Sequence, residues 1–326
     1  MKLLFIADPL TDFKISKDST YAMMQEAQQR GWSVAACELH DMHWQAGQGV
    51  LAQCKTIELI AAQAGFTAKN PWFAVKNEAS LALQDFDAVL MRKDPPFDAE
   101  YLYATHLLQQ AEREGARVIN RPQALRDHSE KLALMEFAQF AAPTLVARDM
   151  ARLKAFHAEH GDVIFKPLDG MGGAGIFRVA ADGLNLGSVL EQLTRNGTQT
   201  IMAQRYLPQI AEGDKRVLLI GGQVVPYALA RIPQGGEVRG NLAAGGKGVA
   251  MELTAKEREV AEFLAPVLHA RGLDLVGLDM IGGYLTEINV TSPTCFVEIT
   301  QQKGLNVAAL MMDVVALRNH LKQSQA

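Results

Sequence analysis

The stretch Val163-Ile164-Phe165-Lys166-Pro167-Leu168-Asp169-Gly170-Met171-Gly172-Gly173-Ala174-Gly175 decides how this chain is read. An apolar, β-branched and aromatic strand ends in a lysine, and four glycines follow within six positions. A loop that poor in side chains lets backbone N–H groups converge on an anion, and the lysine sets a fixed charge beside it. Ile176 to Val179 reads as a second strand, so the unit is a hairpin flap folded over phosphates. A Walker A loop would place its lysine after the glycines, and a Rossmann turn would continue into a helix; neither pattern is met. Taken alone, the stretch also fits a glycine-rich hairpin with no ligand.

Working outward, 326 residues suffice for two or three domains. A net charge of −4, with no Lys/Arg run, argues against a nucleic-acid or membrane-surface partner. The opening apolar run stops at Asp8, too short for a signal peptide, and no run spans a bilayer, so a cytoplasmic location is expected. Cys37, Cys54 and Cys295 are too scattered for a disulfide framework or a zinc site.

Strand Leu3–Ala7, a helix over Ser19–Arg30 and strand Ser33–Leu39 predict a β-α-β opening and a parallel α/β sheet. Val50–Leu59 alternates like a strand. Ala88–Met91 is a buried strand running into Arg92-Lys93-Asp94-Pro95-Pro96-Phe97-Asp98, a charged cluster pinned by prolines where a parallel sheet carries its binding groups. The same cluster could be a solvated turn. A helix over Asp98–Gly115 and strand Arg117–Ile119 follow. Ser129 is placed to cap a helix through Phe140, and Asp149 one through His160. Further elements are helix Leu186–Thr194, strands near Thr200–Gln204, Arg216–Ile220, Gln223–Arg231, Val276–Met280 and Tyr284–Asn289, helix Thr254–Arg271 and a helix after Asn306.

Glu287 and Asn289 share one face of their strand, and Asp279 sits on the neighbouring strand beyond the turn Gly282-Gly283. Two carboxylates and an amide oxygen suit Mg²⁺, although a solvent-facing edge strand would show the same alternation. Between Arg231 and Gly248 runs a long glycine-punctuated segment carrying Arg231, Arg239, Asn241 and Lys247. Segments of this kind are lids or disordered loops. The phosphate hairpin and the acidic strand pair in one chain together point to an ATP site.

These blocks resemble the ATP-grasp superfamily and, within it, the bacterial glutathione synthetases. The resemblance is carried by Met91–Asp98, Lys166–Gly173, Met202-Ala203-Gln204, Gly213-Asp214-Lys215-Arg216-Val217, the lid from Ala230 to Gly246, and Thr286-Glu287-Ile288-Asn289-Val290-Thr291-Ser292-Pro293-Thr294. Residues 42–85 and Phe296-Val297 depart from the family pattern. The fold implied is α/β, an ATP-grasp fold with an N-terminal parallel α/β (pre-ATP-grasp) domain. Its divisions would be 1–122 for the N-terminal domain, 123–204 for the small α+β subdomain with the glycine loop, and 205–326 for the subdomain with the lid and Mg²⁺ site.

The resemblance implies ligation of γ-glutamylcysteine to glycine through an acyl phosphate, with ATP as co-substrate and Mg²⁺, or Mn²⁺, as cofactor. ATP would be bound by Lys131, Lys166, Gly170, Gly172, Gly173, Gln204, Tyr206, Leu207 and Asp214. Asp279, Glu287 and Asn289 would hold the metal. Arg216 and Arg231 would be catalytic, stabilising the reacting carboxylate and its tetrahedral intermediate. Arg92, Arg239, Asn241, Ser292 and Thr294 would contact the substrate, with Lys17-Asp18-Ser19 a further contact unless Ser19 merely caps its helix. Cys295 reads as a structural cysteine, because the reaction needs no thiol. A homo-oligomer, dimer or tetramer, is implied. Another ATP-grasp ligase, such as a D-alanine–D-alanine ligase or a glutamate-adding ligase, and a non-catalytic ATP-binding regulator are the competing readings. The lid and Arg92–Asp98 speak against the first, and retention of the lysine, acids and arginines against the second.

Overall fold

The computed structural model describes residues 1–60, 71–235, 240, 242 and 245–323. Three sheets carry the chain. In the first, β1 (Lys2–Ile6), β2 (Ser33–Cys37), β3 (Met42–Gln45), β4 (Gly49–Leu59), β5 (Phe73–Ala82), β6 (Ala88–Met91) and β7 (Val118–Ile119) run in the order β3-β4-β2-β1-β6-β7, with β5 beside β4. The β2-β1-β6-β7 part is parallel, as expected. Residues 42–82 extend it with antiparallel strands. The difference is legible in burial. β1 is buried on both faces beyond Lys2, whereas β4 alternates, as antiparallel strands with one wet face do.

Helices α1 (Ser19–Gln29) and α2 (Ala99–Glu114) cross between the parallel strands. Each starts at an aspartate whose carboxylate accepts a backbone N–H from the first turn: Asp18 from Tyr21 at 2.8 Å and Asp98 from Tyr101 at 2.9 Å. After the short α3 (Pro122–Asp127), the helix expected from Ser129 to Phe140 is instead a 3₁₀ segment over Leu132–Phe140, broken at Phe137. Ser129 is no side-chain cap. The reason lies next door: Glu130 O accepts from Ile288 N at 2.9 Å, and its carboxylate accepts from Val290 N and Thr291 N. Chain committed to a neighbouring strand at residue 130 cannot also open an α-helix there.

The second sheet is antiparallel, ordered β10-β9-β11-β8 from β8 (Thr144–Ala147), β9 (Val163–Pro167), β10 (Phe177–Val179) and β11 (Ile201–Arg205), with α4 (Met150–His160) and α5 (Leu186–Thr194) packed on it. The third is ordered β14-β13-β12-β15-β16 from β12 (Asp214–Ile220), β13 (Gln223–Ile232), β14 (Lys247–Glu252), β15 (Leu275–Ile281) and β16 (Tyr284–Asn289). Gly282 and Gly283, at φ 56° and 80°, form the two-residue turn joining β15 to β16. α6 (Ala255–Ala270) opens with a reciprocal capping box between Thr254 and Glu257. α7 (Phe296–Lys303), which the sequence reading missed, and α8 (Val307–Gln323) fill the space between the first and third sheets. One continuous core there joins Phe5, Met23, Leu218, Phe296 and Met311.

Asn120 is the polar pin of that junction. Buried behind β7, it accepts from Leu275 N (2.8 Å) and donates to Leu275 O (2.8 Å) and Val290 O (3.0 Å). Asn120→Ala leaves three buried backbone groups unpaired, each a loss of about 1–3 kcal/mol. The expected outcome is an apparent stability lower by at least about 2 kcal/mol in urea unfolding; an unchanged midpoint would show that water replaces the amide without loss.

Candidate active site

The third sheet lays out its chemistry by register. Asp214 lies directly across β12–β13 from Arg231. Two residues along, on the same face, Arg216 lies across β12–β15 from Asp279, and Asp279 lies across β15–β16 from Glu287. Asn289 is opposite Gly277, one more step along that face. Arg216 donates to both oxygens of Asp279 from Nε (2.5 Å) and Nη2 (2.9 Å). Arg231 reaches Asp214 Oδ2 at 2.5 Å and Asp279 Oδ2 at 2.9 Å through Nη2. Neither arginine's Nη1 has a partner among the described residues, and both side chains line the cavity over this face.

The electrostatics follow from burial. Burial alone would raise the Asp279 carboxyl, but Arg216 and then Arg231 hold it well below the usual carboxylate range. Asp214 is pushed up to about 6, first by burial and against the pull of Arg231. Lys166, at 7% exposure, is lowered by burial, which outweighs the opposing attraction of Glu287.

The phosphate hairpin closes over the same cavity. β9 and β10 pair antiparallel, and Gly172, Gly173 and Gly175 take φ of 61°, 85° and 71°, values that side chains resist. Lys131 Nζ joins the two halves: it donates to Gly170 O at 2.8 Å and pairs with Glu287 at 2.7 Å. Lys166 Nζ donates to Thr286 O at 3.4 Å. Thr286 is the extra residue of a β-bulge, because Asp279 pairs with Glu287 while Met280 pairs with Leu285. The bulge leaves its carbonyl outside the ladder, within reach of the lysine.

Of the residues singled out from sequence, Lys131, Lys166, Gly170, Gly172, Gly173, Gln204, Tyr206, Leu207, Asp214, Arg216, Arg231, Asp279, Glu287, Asn289, Ser292 and Thr294 all line this one cavity. Arg92 stands behind its wall: Nε donates to Thr20 Oγ1 (3.1 Å) and Nη2 to Pro293 O (3.0 Å), so it braces the Ser292-Pro293 turn. Arg239 and Asn241 lie outside the described residues. Of the glycine-punctuated segment expected to form a lid, both ends are sheet, since Arg231 and Lys247 belong to the paired strands β13 and β14. Cys295 is buried at φ 86° at the head of α7, and burial raises its thiol.

The sequence reading missed Glu130, Thr286 and Gly277. Glu130 lines the cavity while its Oε1 also accepts from Thr291 Oγ1 at 2.8 Å. Gly277 had a readable signal, a side-chain-free position two residues before Asp279 on the same strand face. A Cβ there would stand 2.7 Å from Arg216 Cδ and 3.0 Å from Pro293 Cβ.

The oxygens of Glu287 and Asn289 fit a hard divalent cation. Asn289 Nδ2 is spent on Gly277 O (3.2 Å), which leaves its Oδ1 as the available donor atom. Asp279 shares its carboxylate with the two arginines. Among the described residues no three His, Cys, Asp or Glu side chains form a preformed metal cage.

Comparison with known proteins assigns the family. Residues 1–126 match the N-terminal domain of prokaryotic glutathione synthetase, and residues 130–304 match its ATP-grasp domain. The chain belongs to the prokaryotic glutathione synthetase family. It is 59% identical to the glutathione synthetase of Ralstonia nicotianae over 97% of this chain and 95% of that one. To that of Neisseria meningitidis serogroup A it is 57% identical, over 97% and 98%. In fold it is similar to D-cycloserine synthetase DcsG (TM-score 0.65, 15% identity, 98% of this chain and 100% of that one). It is also similar to the ATP-grasp ligase PsnB, solved with a phosphomimetic variant of its minimal precursor, Mg and ADP (TM-score 0.61, 19% identity, 97% of each). The chain has the ATP-grasp fold and is an ATP-dependent ligase. Among the described residues no helix is long and apolar enough to cross a membrane.

Gly277→Ala tests the register argument. The added methyl displaces Arg216 from Asp279, and for the catalytic role expected of Arg216 a misplacement of about 1 Å costs on the order of 100-fold. We expect kcat to fall at least about tenfold with nucleotide affinity changed less than about threefold; wild-type kcat in this variant would contradict the placement of Arg216.

Proposed function

We propose that this chain joins γ-glutamylcysteine to glycine with cleavage of ATP to ADP and phosphate, making glutathione. The observation that carries the proposal is the convergence of the glycine hairpin, two lysines, two arginines and the acidic strand pair on one cavity, in a chain of this family. Gln204 to Leu207 take the adenine, and Asp214 lies toward the ribose and lid. Lys131, Lys166 and the N–H groups of Gly170–Gly175 take the phosphates. Ser292 and Thr294 contact the dipeptide, with Arg92 bracing their turn, and Arg239 and Asn241 contribute from the lid.

A carboxylate is a poor electrophile, so the reaction begins by activating it. A cysteinyl carboxylate oxygen attacks the γ-phosphorus, the bond to the β-phosphate oxygen breaks, and ADP leaves. The glycine amine then attacks the acyl carbon, the acyl C–O bond breaks, phosphate departs with that bonding pair and the former carboxylate oxygen, and the amine proton passes to solvent. Arg216 and Arg231 direct Nη1 toward the growing oxyanion, and Asp279 and Asp214 fix their other edges. The lid and glycine hairpin keep water from the acyl phosphate.

Charge balance supports a metal. Lys131, Lys166, Arg205, Arg216 and Arg231 face Asp94, Glu130, Asp214, Asp279 and Glu287 among the described lining residues. A near-neutral cavity does not by itself neutralise a triphosphate. Mg²⁺, or Mn²⁺ in its place, held by Glu287, Asn289 and Asp279, would supply that neutralisation and polarise the phosphate oxygens. A cytoplasmic homo-oligomer, dimer or tetramer, forms part of the proposal on family grounds.

The test is phosphate release with ATP, Mg²⁺ and γ-glutamylcysteine, with and without glycine. Glycine-dependent phosphate matched by tripeptide, and abolished by chelator, is expected. Absence of glycine-dependent phosphate would refute the reading, and activity with D-alanine pairs instead would favour the alternative ligase.

A further inference from the structure

One hydrogen-bond chain at the wall of the cavity fixes the direction of an amide. Thr144 of β8 lies directly across the ladder from Gln204 of β11. Its Oγ1 is 2.7 Å from Ala142 O and 3.0 Å from Gln204 Nε2. A hydroxyl has one proton, and a backbone carbonyl can only accept. That proton is therefore spent on Ala142 O, and Oγ1 faces Gln204 as an acceptor. Only the NH₂ end of the amide can meet it, so the carbonyl end, Oε1, is turned away from Thr144.

Gln204 is buried, at 6% exposure, yet lines the cavity, as do the apolar Ala142, Ile164 and Leu207. Its Oε1 has no donor among the described residues. With one Nε2 proton spent on Thr144, the end of the amide turned away from it is Oε1, an acceptor, and Nε2 keeps one further N–H beside Thr144.

We propose that Thr144 is a positioning residue that sets the nucleobase preference of the enzyme: by holding Gln204 with its oxygen toward the base, it selects a 6-aminopurine over a 6-oxopurine. The proposal rests on the placement of the adenine at Gln204–Leu207 given above. A 6-amino group offers a donor to Oε1, whereas a 6-oxo group offers an acceptor and sets lone pair against lone pair. Were the amide free to turn over, it would satisfy either base. Thr144 removes that freedom without touching the nucleotide. Discrimination of this kind depends on leaving a buried polar group unpaired with the wrong substrate.

The experiment compares ATP with ITP as co-substrate, at saturating γ-glutamylcysteine and glycine, in the unmodified enzyme, Thr144→Val and Thr144→Ser. Valine keeps the shape and removes both halves of the hydroxyl. Thr144→Val is expected to shrink the ATP:ITP ratio of kcat/KM by about tenfold or more, with the change carried mainly by the nucleotide KM. Thr144→Ser, which keeps the hydroxyl, restores the ratio. A purely structural role would lower both nucleotides' rates together and leave the ratio intact. A strong ATP preference that survives in Thr144→Val overturns the role of Thr144 alone. Equal use of ATP and ITP by the unmodified enzyme overturns the placement of the base beside Gln204, and the proposal with it.

Discussion

Asp279, clasped between two buried guanidiniums, is the interaction on which the rest of the structure depends. Arg216, Arg231 and Asp279 are each at most 6% exposed, and an isolated charge at such depth would neutralise or leave. They persist because sheet register sets them side by side, and removing one partner of such a group costs about 3–5 kcal/mol. The network is not there for stability alone, since apolar residues of similar volume would serve as well. What it secures is orientation: the acids occupy one edge of each guanidinium, and Nη1 has no partner among the described residues.

The phosphate end depends on a connection between sheets. Lys131 touches the glycine hairpin of the second sheet and Glu287 of the third. Glu130, one residue earlier, is bonded to the end of β16. Lys131 is thus bonded to the hairpin and to the acidic strand pair at once, and the cavity is assembled from two sheets. The first sheet reaches it through Arg92, which braces the Ser292-Pro293 turn.

Much of this was legible in the sequence because the signals are local. Period-2 alternation placed Glu287 and Asn289 on one face, and a strand ending in lysine before glycines announced the hairpin. Asp149 announced its helix, whereas α1 is capped by Asp18, one residue before the Ser19 that the sequence offered as a cap, and α2 by Asp98. What failed was set by distant partners. Ser129 has the look of a cap, yet Glu130 is held by Ile288, Val290 and Thr291, some 160 residues away in sequence. The Thr286 bulge depends on how β15 meets β16, and α7 starts at a cysteine in the left-handed region, where no helix signal stands. The strands of residues 42–82 were only partly visible, because β5 has no buried residue and lacks the apolar run that marks a buried strand.

In the proposed reaction the arginines, the lysines and the glycine hairpin act on one carboxylate, so that it is phosphorylated before it meets the amine. The most direct measurement uses γ-glutamylcysteine labelled with ¹⁸O in its cysteinyl carboxylate and follows the label by mass spectrometry during turnover. The account predicts that one labelled oxygen passes to each inorganic phosphate released. Phosphate free of label, with the expelled oxygen found on AMP or in water, would contradict it.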